Sequence, residues 1–186
     1  MYSTAEFKKG LKIEIDGQPY VIVDFLHVKP GKGGAFVRTK IKNLMNGKVL
    51  DQTFRSGEKV KRPDLSERDM QFLYREGDDF TLMDNETYEQ IALSAEQLGD
   101  AVIFLTENLN VQVLFFNQQP VAAELPTFVE LTVAQSEPGV KGDTASGASK
   151  PATLESGAVI QVPLFINEGD RVKVDTRTGT YIERAK

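Results

Sequence analysis

The sequence predicts a mostly β protein built from three small β-barrel domains. Short segments in which apolar and polar residues alternate follow one another along most of the chain, and turns rich in Gly, Pro, Asn and Asp separate them. The sign of the charge also changes abruptly along the chain. Together these observations favour small barrels joined in series over one large domain.

Charge divides the 186 residues into three blocks. Residues 1–62 carry a net charge of +7, residues 63–127 carry −11 and residues 128–186 carry −1. The first reversal coincides with Pro63-Asp64, and Pro120 and Pro126 bracket a second candidate linker, so we predict domains at 1–63, 64–127 and 128–186. A basic first domain suits contact with phosphates, whereas the acidic second domain would repel non-specific nucleic acid.

The overall composition excludes several classes of protein. The absence of cysteine excludes disulfides and thiolate zinc sites and fits a reducing cytosol. The N-terminus lacks an apolar stretch long enough for a signal peptide, and no window is apolar enough to span a membrane. We therefore expect a soluble, cytoplasmic protein without a membrane partner, monomeric in isolation.

The first domain is predicted to be an SH3-like barrel. Period-two alternation marks strands at 12–16 and 19–25, and Asn46-Gly47 predicts a hairpin into a strand at 48–54. Between them lies a strand with a basic outer face. Three of its residues should face the core (Val37, Thr39, Ile41) and three the solvent (Arg38, Lys40, Lys42).

The second domain has the pattern of a five-stranded oligonucleotide-binding (OB) barrel with one inserted helix. Alternating segments lie at 70–75, 79–83 and 87–93, and a last strand lies at 111–116. Ser94 and Gln97 form a capping box. We expect a helix from about Ala95 to Glu107, with an apolar face made of Leu98, Val102 and Leu105.

The third domain also has an all-β pattern. Strand-like segments lie at 128–134, 158–163, 171–175 and 180–183, and a polar loop spans 135–149. An internal echo links this domain to the second. Glu-Gly-Asp at 76–78, Asp84 and Thr87-Tyr88 are followed at 168–181 by Glu-Gly-Asp, Asp175 and Thr180-Tyr181, with the spacing shifted by one residue. The echo predicts a second OB barrel.

The most informative stretch is the loop that precedes the basic strand. It consists of Lys29, Pro30, Gly31, Lys32, Gly33 and Gly34. Proline presets φ and the glycines allow positive φ on either side of Lys32, which predicts a hairpin tip that lifts one ammonium clear of the protein. A Walker phosphate loop does not fit, because Lys32 is followed by glycine rather than Ser or Thr. A solvated basic turn without function is the alternative at this point.

The sequence contains no catalytic constellation. The single histidine, His27, is better explained as a structural residue than as a base or ligand, because it has no second histidine or cysteine to act with. The carboxylates match no calcium-loop spacing, and no serine has a histidine close in sequence. We predict a binding or positioning protein rather than an enzyme, with no metal and no cofactor.

Several motifs together resemble bacterial translation factors of the elongation factor P family. They are Lys-Pro-Gly-Lys-Gly at 29–33, Thr-Tyr-Glu-Gln at 87–90, Glu-Gln-Leu-Gly-Asp at 96–100, Gly-Val-Lys-Gly-Asp-Thr at 139–144, Lys-Pro-Ala at 150–152 and the segment 157–169. The resemblance spans the whole chain.

The resemblance implies a fold and a function. The first domain would be KOW-like, and two OB barrels would follow in an elongated, L-shaped, tRNA-like arrangement. The protein would bind the 70S ribosome, including its ribosomal RNA, between the P and E sites and stimulate peptide-bond formation at consecutive prolines. Lys32, covalently extended by a lysine-modifying enzyme, would reach toward the CCA end of the P-site tRNA. Gly142, Asp143 and Thr144 match the loop that faces the mRNA codon in the E site.

Two other functions stay open at this stage. A related elongation-factor-P-like protein could act on a different ribosomal event, although the intact loop at 29–33 argues against it. A general RNA-binding barrel protein would keep the fold but would not need Lys32. Lysine rather than arginine at position 32 argues against the rhamnosylated-arginine branch of the family. The sequence does not choose among β-lysylation, aminopentanol addition and no modification.

Overall fold

The computed structural model describes residues 1–138 and 148–185. The chain is mostly β and forms two compact units, one made of 1–68 with 113–122 and the other of 69–112 with the described residues from 123 onward. Among the described residues, no helix has both the length and the apolarity needed to cross a membrane.

The N-terminal part of the chain folds around a four-stranded antiparallel sheet with the order β2-β3-β4-β5. A pair of two-residue strands, β1 and β6, and a bridge from Glu14 to Lys61 curl the structure toward a barrel. Its elements are β1 (Tyr2–Ser3), a 3₁₀ helix (Thr4–Glu6), β2 (Lys12–Ile15), β3 (Gln18–Val28), β4 (Phe36–Asn43), β5 (Val49–Arg55) and β6 (Lys59–Val60).

The predicted alternation along β4 is confirmed. Val37, Thr39 and Ile41 are buried, whereas the three basic residues between and after them are exposed. Because successive side chains of a strand point to opposite faces, one face of the sheet covers the core and the other presents charge to solvent. The core consists of seven buried side chains: Phe7, Ile13, Ile22, Val37, Ile41, Phe54 and Val60.

The central sheet has the strand order β11-β10-β7-β8-β9. Its elements are β7 (Leu65–Glu76), β8 (Asp79–Asp84), β9 (Gln90–Ser94), α1 (Ala95–Leu98), a 3₁₀ helix (Gly99–Phe104), β10 (Asn110–Phe116) and β11 (Gln119–Glu124). The linker predicted between Pro120 and Pro126 is therefore wrong over most of its length. Pro120 lies in an edge strand, where a missing backbone N–H is tolerated.

The helix of the central sheet is much shorter than the predicted 95–107. The capping box is confirmed, since the Gln97 backbone N–H donates to Ser94 Oγ (3.2 Å) and Gln97 Oε1 accepts from the Ser94 N–H (2.9 Å). The α-helix nevertheless stops at Leu98, because Gly99 adopts φ 57° and ψ −131°, which an α-helix cannot accommodate. The chain continues as a 3₁₀ helix.

The C-terminal sheet has the strand order β14-β13-β12-β15-β16. Its strands are β12 (Phe128–Ser136), β13 (Ser149–Leu154), β14 (Val159–Pro163), β15 (Arg171–Asp175) and β16 (Thr180–Arg184). Phe104, from the 3₁₀ helix that follows α1, is buried in the core of this sheet together with residues such as Leu131 and Val172. The Ser156 hydroxyl donates to the Ile103 carbonyl beside it. The predicted apolar face of the helix did not include Phe104.

The same type of turn connects the two strands of one hairpin in each of the three sheets. Asn43, Asp84 and Asp175 begin these turns, and all three are buried. In the first two turns, the side-chain oxygen accepts hydrogen bonds from the backbone N–H groups two and three residues later, at 2.7 and 3.2 Å for Asn43 and at 2.8 and 3.2 Å for Asp84. Asp175 accepts from the N–H two residues later at 2.9 Å. Asn and Asp suit this role because their short side chains reach the local backbone.

The fifth residue of each turn has a left-handed backbone. It donates its N–H to the carbonyl of the Asn or Asp that begins the turn, over 2.8–2.9 Å. Gly47 has φ 75°, Tyr88 has φ 65° and Gly179 has φ 70°. The hairpin predicted at Asn46-Gly47 is thus confirmed, but the turn that makes it spans five residues and depends on Asn43.

The internal echo between the second and third domains reflects this turn. It falls on the β8–β9 and β15–β16 hairpins, each of which flanks the central strand of its sheet. In the central sheet this hairpin follows the central strand β7 directly in sequence. In the C-terminal sheet, β13 and β14 come between the central strand β12 and the hairpin. Aligned on Asp84 and Asp175, the left-handed residues coincide without the shift of one residue.

The Asp175 turn should show a distinctive pH dependence. Arg177 holds the pKa of Asp175 below its usual value, mainly through a side-chain hydrogen bond, with an Nη2–Oδ2 distance of 3.0 Å. Because the folded-state pKa is lowered, this stabilisation is present above the ordinary aspartate pKa of about 3.9 and is lost as the pH falls through the folded-state value. Asp175→Asn should therefore lower the urea midpoint at pH 7, and its difference from wild type should shrink at pH 3.

Asparagine is the matched substitution for this test, because Asn43 makes the same turn without a charge. Arg177→Gln should remove the same pH-dependent part of the stability. A midpoint difference for Asp175→Asn that is equal at pH 7 and pH 3 would show that the charge of Asp175 adds nothing to the fold.

Candidate functional site at the lysine loop

The lysine loop connects β3 to β4 in the N-terminal sheet. The last residue pair before the loop is Val28 with Phe36, so residues 29–35 bridge the two strands. At the end of the loop, the Ala35 carbonyl accepts a hydrogen bond from the N–H of Ser56, the residue that follows β5 (3.0 Å). The structure therefore places the loop at the end of a paired hairpin, as predicted.

The glycines of the loop do not all act alike. Only Gly33 has a left-handed backbone, with φ 93°, whereas Gly31 and Gly34 lie outside that region. A Cβ atom added at any of the three would meet nothing within 4 Å. The backbone therefore requires glycine at position 33 alone, and the other two glycines keep the surroundings of Lys32 free of side chains.

The two lysines of the loop extend into solvent. Lys29 and Lys32 are both exposed. Neither ammonium takes part in a hydrogen bond or ion pair with any residue that the structure describes. The loop thus presents Lys32 without using its charge inside the fold.

The sheet face next to the loop combines positive charge with apolar side chains. Arg38 pairs across the sheet with Leu26 and Thr53, and Arg55 pairs with Phe36. Leu26 is 61 % exposed, and both arginines are exposed. Lys40, farther from the loop, stands between two acidic residues, Asp24 and Asp51. The residues paired with the two arginines are uncharged, so no acidic cross-strand partner offsets the positive charge next to the loop.

The single histidine lies beside the loop and packs on a neighbouring aromatic ring. His27 is exposed, and its ring packs edge to face on Phe25 with centroids 5.6 Å apart. No group of three His, Cys, Asp or Glu residues in the described part of the chain could hold a metal ion. The contact with Phe25 supports a packing role for His27.

The second predicted site, Gly142, Asp143 and Thr144, lies outside the described residues. The strands that flank this segment are described. β12 runs to Ser136 and β13 starts at Ser149, so residues 135, 136 and 149 of the polar loop expected from 135 to 149 belong to strands. Lys150 is buried, and its ammonium donates to the Glu137 carbonyl, which joins the two ends of the connection.

Part of the site was not predicted from the sequence. Leu26, Phe36 and Arg55 frame the lysine loop in the structure, although only Lys32 and its loop neighbours were predicted. For Leu26 the missing information lies in the register of β3, because a bulge between Ile22 and Asp24 changes which side chains face outward. Alternation alone does not reveal that bulge.

These features define a class of protein: a series of small β domains, the first of which presents an exposed lysine from the tip of a cationic hairpin. Three family models match the chain. The KOW-like domain of elongation factor P matches residues 3–60, its OB domain matches 65–123 and its C-terminal domain matches 129–184.

Curated proteins give the same result over the full length. The chain is 59 % identical over 186 residues to elongation factor P of Natranaerobius thermophilus, covering 100 % of this chain and 99 % of that protein. It is 57 % identical over 185 residues to elongation factor P of Moorella thermoacetica, covering 100 % of both chains. The chain belongs to the elongation factor P family, and it is a translation elongation factor.

Solved structures support the fold. The structure named eukaryotic translation initiation factor 5A from Methanococcus jannaschii superposes with a TM-score of 0.53 at 29 % identity, covering 64 % of this chain and 88 % of that one. A protein of the eukaryotic initiation factor 5A family from Naegleria fowleri gives 0.52 at 18 % identity, covering 67 % and 96 %. The prediction of a mostly β chain with KOW-like and OB domains is confirmed.

Proposed function

We propose that this translation elongation factor binds the 70S ribosome between the P and E sites and speeds peptide-bond formation at consecutive prolines. In this proposal Lys32 reaches toward the CCA end of the P-site tRNA and helps to position the peptidyl-tRNA. The observation that carries the proposal is the lysine loop, which presents an exposed ammonium with no partner in the described structure from the end of a paired hairpin.

Charge supports the direction in which the molecule would dock. The first 62 residues carry +7, and the sheet face beside the loop adds Arg38 and Arg55 to the two loop lysines. Such a surface is attracted to the phosphates of tRNA and ribosomal RNA. The following block carries −11, which opposes binding in orientations that bring it against RNA.

The reaction needs positioning more than acid–base chemistry. Proline has a fixed φ and a ring on its nitrogen, which makes it a poorly oriented donor and a hindered nucleophile. A factor that orders the peptidyl-tRNA restores the geometry of attack, and correct orientation accounts for a large share of the rate in reactions of this kind. The proposal assigns no proton transfer and no covalent step to the protein.

Lysine suits this position because its ammonium is a compact charge on a flexible stem. The stem can also be lengthened covalently, and the open surroundings of Lys32 leave room for a modifying enzyme to approach it. We propose that Lys32 is the modified residue. We also propose that Gly142, Asp143 and Thr144 face the mRNA codon in the E site, on the basis of the family resemblance alone.

The test is a reconstituted translation system supplied with two messages, one encoding three consecutive prolines and a matched one without them. Each message is translated without the protein, with unmodified recombinant protein and with protein purified from its own host. We expect the protein to raise the yield from the proline message only. The difference between host and recombinant protein measures the effect of modification.

Two results would contradict the proposal. Equal stimulation of both messages would indicate a general translation factor. Ribosome binding without stimulation of either message would leave a ribosome-binding protein whose lysine loop has no role at prolines.

A further inference from the structure

Tyr88 has a backbone conformation that is unfavourable for an aromatic residue. It is the fifth residue of the turn that begins at Asp84, with φ 65°. The equivalent residues of the other two turns are Gly47 and Gly179. A left-handed backbone suits glycine, is tolerated by Asn and Asp, and is strained for a bulky aromatic residue.

Backbone hydrogen bonds hold this turn, but the side chain of Tyr88 does little to offset the strain. The Tyr88 side chain is 70 % exposed, so it gains little from burial. Its hydroxyl makes no hydrogen bond and its ring no ring contact with any residue that the structure describes. Four other non-glycine residues have positive φ within the described ranges, namely Asp16, Asn108, Asn117 and Gln118, and none of them is aromatic. A strained residue that does not stabilise the fold points to a function outside it.

The surroundings of Tyr88 are acidic. Glu86 and Glu89 lie in the same hairpin and are exposed. The block from 63 to 127 contains 13 acidic and only 2 basic residues. A phosphate backbone would be repelled here, whereas a cationic side chain would be attracted to the carboxylates and could lie against the tyrosine ring.

We propose that Tyr88, together with Glu86, forms a docking point for an arginine- or lysine-rich segment of a protein component of the ribosome. A guanidinium stacks on the exposed ring while the Glu86 carboxylate pairs with a neighbouring cation. The hydrogen bond from the Tyr88 N–H to the Asp84 carbonyl holds the backbone at this position, so little backbone freedom is lost on binding. This proposal rests on the protein acting at the ribosome, but not on its acting at prolines.

Substitutions separate docking from folding. Tyr88→Gly relieves the strain, so it should raise the melting temperature while weakening binding to purified 70S ribosomes about tenfold. Tyr88→Phe keeps the ring and should bind like wild type. Gly47→Tyr, at the equivalent position where an added Cβ meets nothing within 4 Å, should lower the melting temperature and so report the cost of an aromatic residue in this turn.

Cross-linking identifies the partner. The photoreactive residue p-benzoyl-phenylalanine is placed at position 88, and the protein is irradiated with 70S ribosomes. Cross-links to a basic segment of a ribosomal protein support the proposal. Cross-links only to RNA, no cross-link at all, or unchanged ribosome binding by Tyr88→Gly would overturn it. These results do not depend on the proline messages, so this proposal can fail while the proposed function stands, and the reverse.

Discussion

Replacing Lys32 by alanine should reduce proline-specific stimulation to the level seen without the protein. Misplacing reacting groups by about an ångström costs on the order of 100-fold in rate, and the alanine variant loses the group proposed to prevent that misplacement. The fold should be unaffected, because Lys32 is exposed and has no partner among the described residues. Surface substitutions of this kind change stability by about 0.5 kcal/mol or less.

The measurement is the yield from the triproline message, with ribosome binding and the melting temperature recorded in parallel. Lys48→Ala is the matched control, since Lys48 is another exposed lysine at a hairpin turn of the same sheet. It should behave like wild type. If Lys32→Ala stimulates the proline message as well as Lys48→Ala does, the lysine loop is an ordinary solvated turn and the proposed mechanism is wrong.

Replacing Phe54 by alanine should have the largest effect on stability. Phe54 is buried in the core of the N-terminal sheet, and its ring packs edge to face on Phe7 with centroids 5.3 Å apart. Truncation of a buried phenylalanine costs about 3–5 kcal/mol. Because small proteins are stable by only about 5–15 kcal/mol, a core of seven side chains tolerates such a loss poorly.

Urea denaturation at neutral pH measures this effect. Leu50→Ala is the control, because Leu50 lies on the same strand β5 but is 39 % exposed, and it should cost less than about 1 kcal/mol. Stimulation by Phe54→Ala should fall through loss of folded protein and should recover on addition of a stabilising osmolyte. Equal losses of stability in the two variants would show that Phe54 does not anchor this core.

Much of the fold could be predicted from local pattern. Along β4 the alternation identified every buried and exposed side chain from Val37 to Lys42, because one face of the strand covers a core and the other meets water. The strand Arg171–Asp175 was predicted with its observed bounds. The position of Lys32 on a hairpin tip followed in the same way from the turn chemistry of Pro and Gly.

The errors arose where backbone geometry or long-range packing overrides local pattern. The alternation predicted for 70–75 fails after Phe72, since a bulge shifts the register and leaves Tyr74 exposed. The helix predicted to Glu107 ends at Leu98 because Gly99 leaves the helical region, and Phe104 then packs in the core of the C-terminal sheet. A single sequence does not reveal which core a residue joins.

The unfavourable backbone of Tyr88 was also invisible in the sequence by itself. It becomes apparent only when three turns are superposed on Asn43, Asp84 and Asp175. The pattern that could have found it is an Asn or Asp followed four residues later by Gly in two hairpins and by Tyr in the third. The predicted echo between the second and third domains recorded this pattern without its cause.

The shared turn has a consequence for engineering. One buried Asn or Asp and one left-handed residue make the backbone hydrogen bonds that define the loop, and the three positions between them carry different side chains in the three sheets. The residues at these intervening positions can therefore be exchanged among the three turns. Grafting residues 85–88 between Asn43 and Lys48 would place the exposed tyrosine in the N-terminal domain without redesign of either sheet.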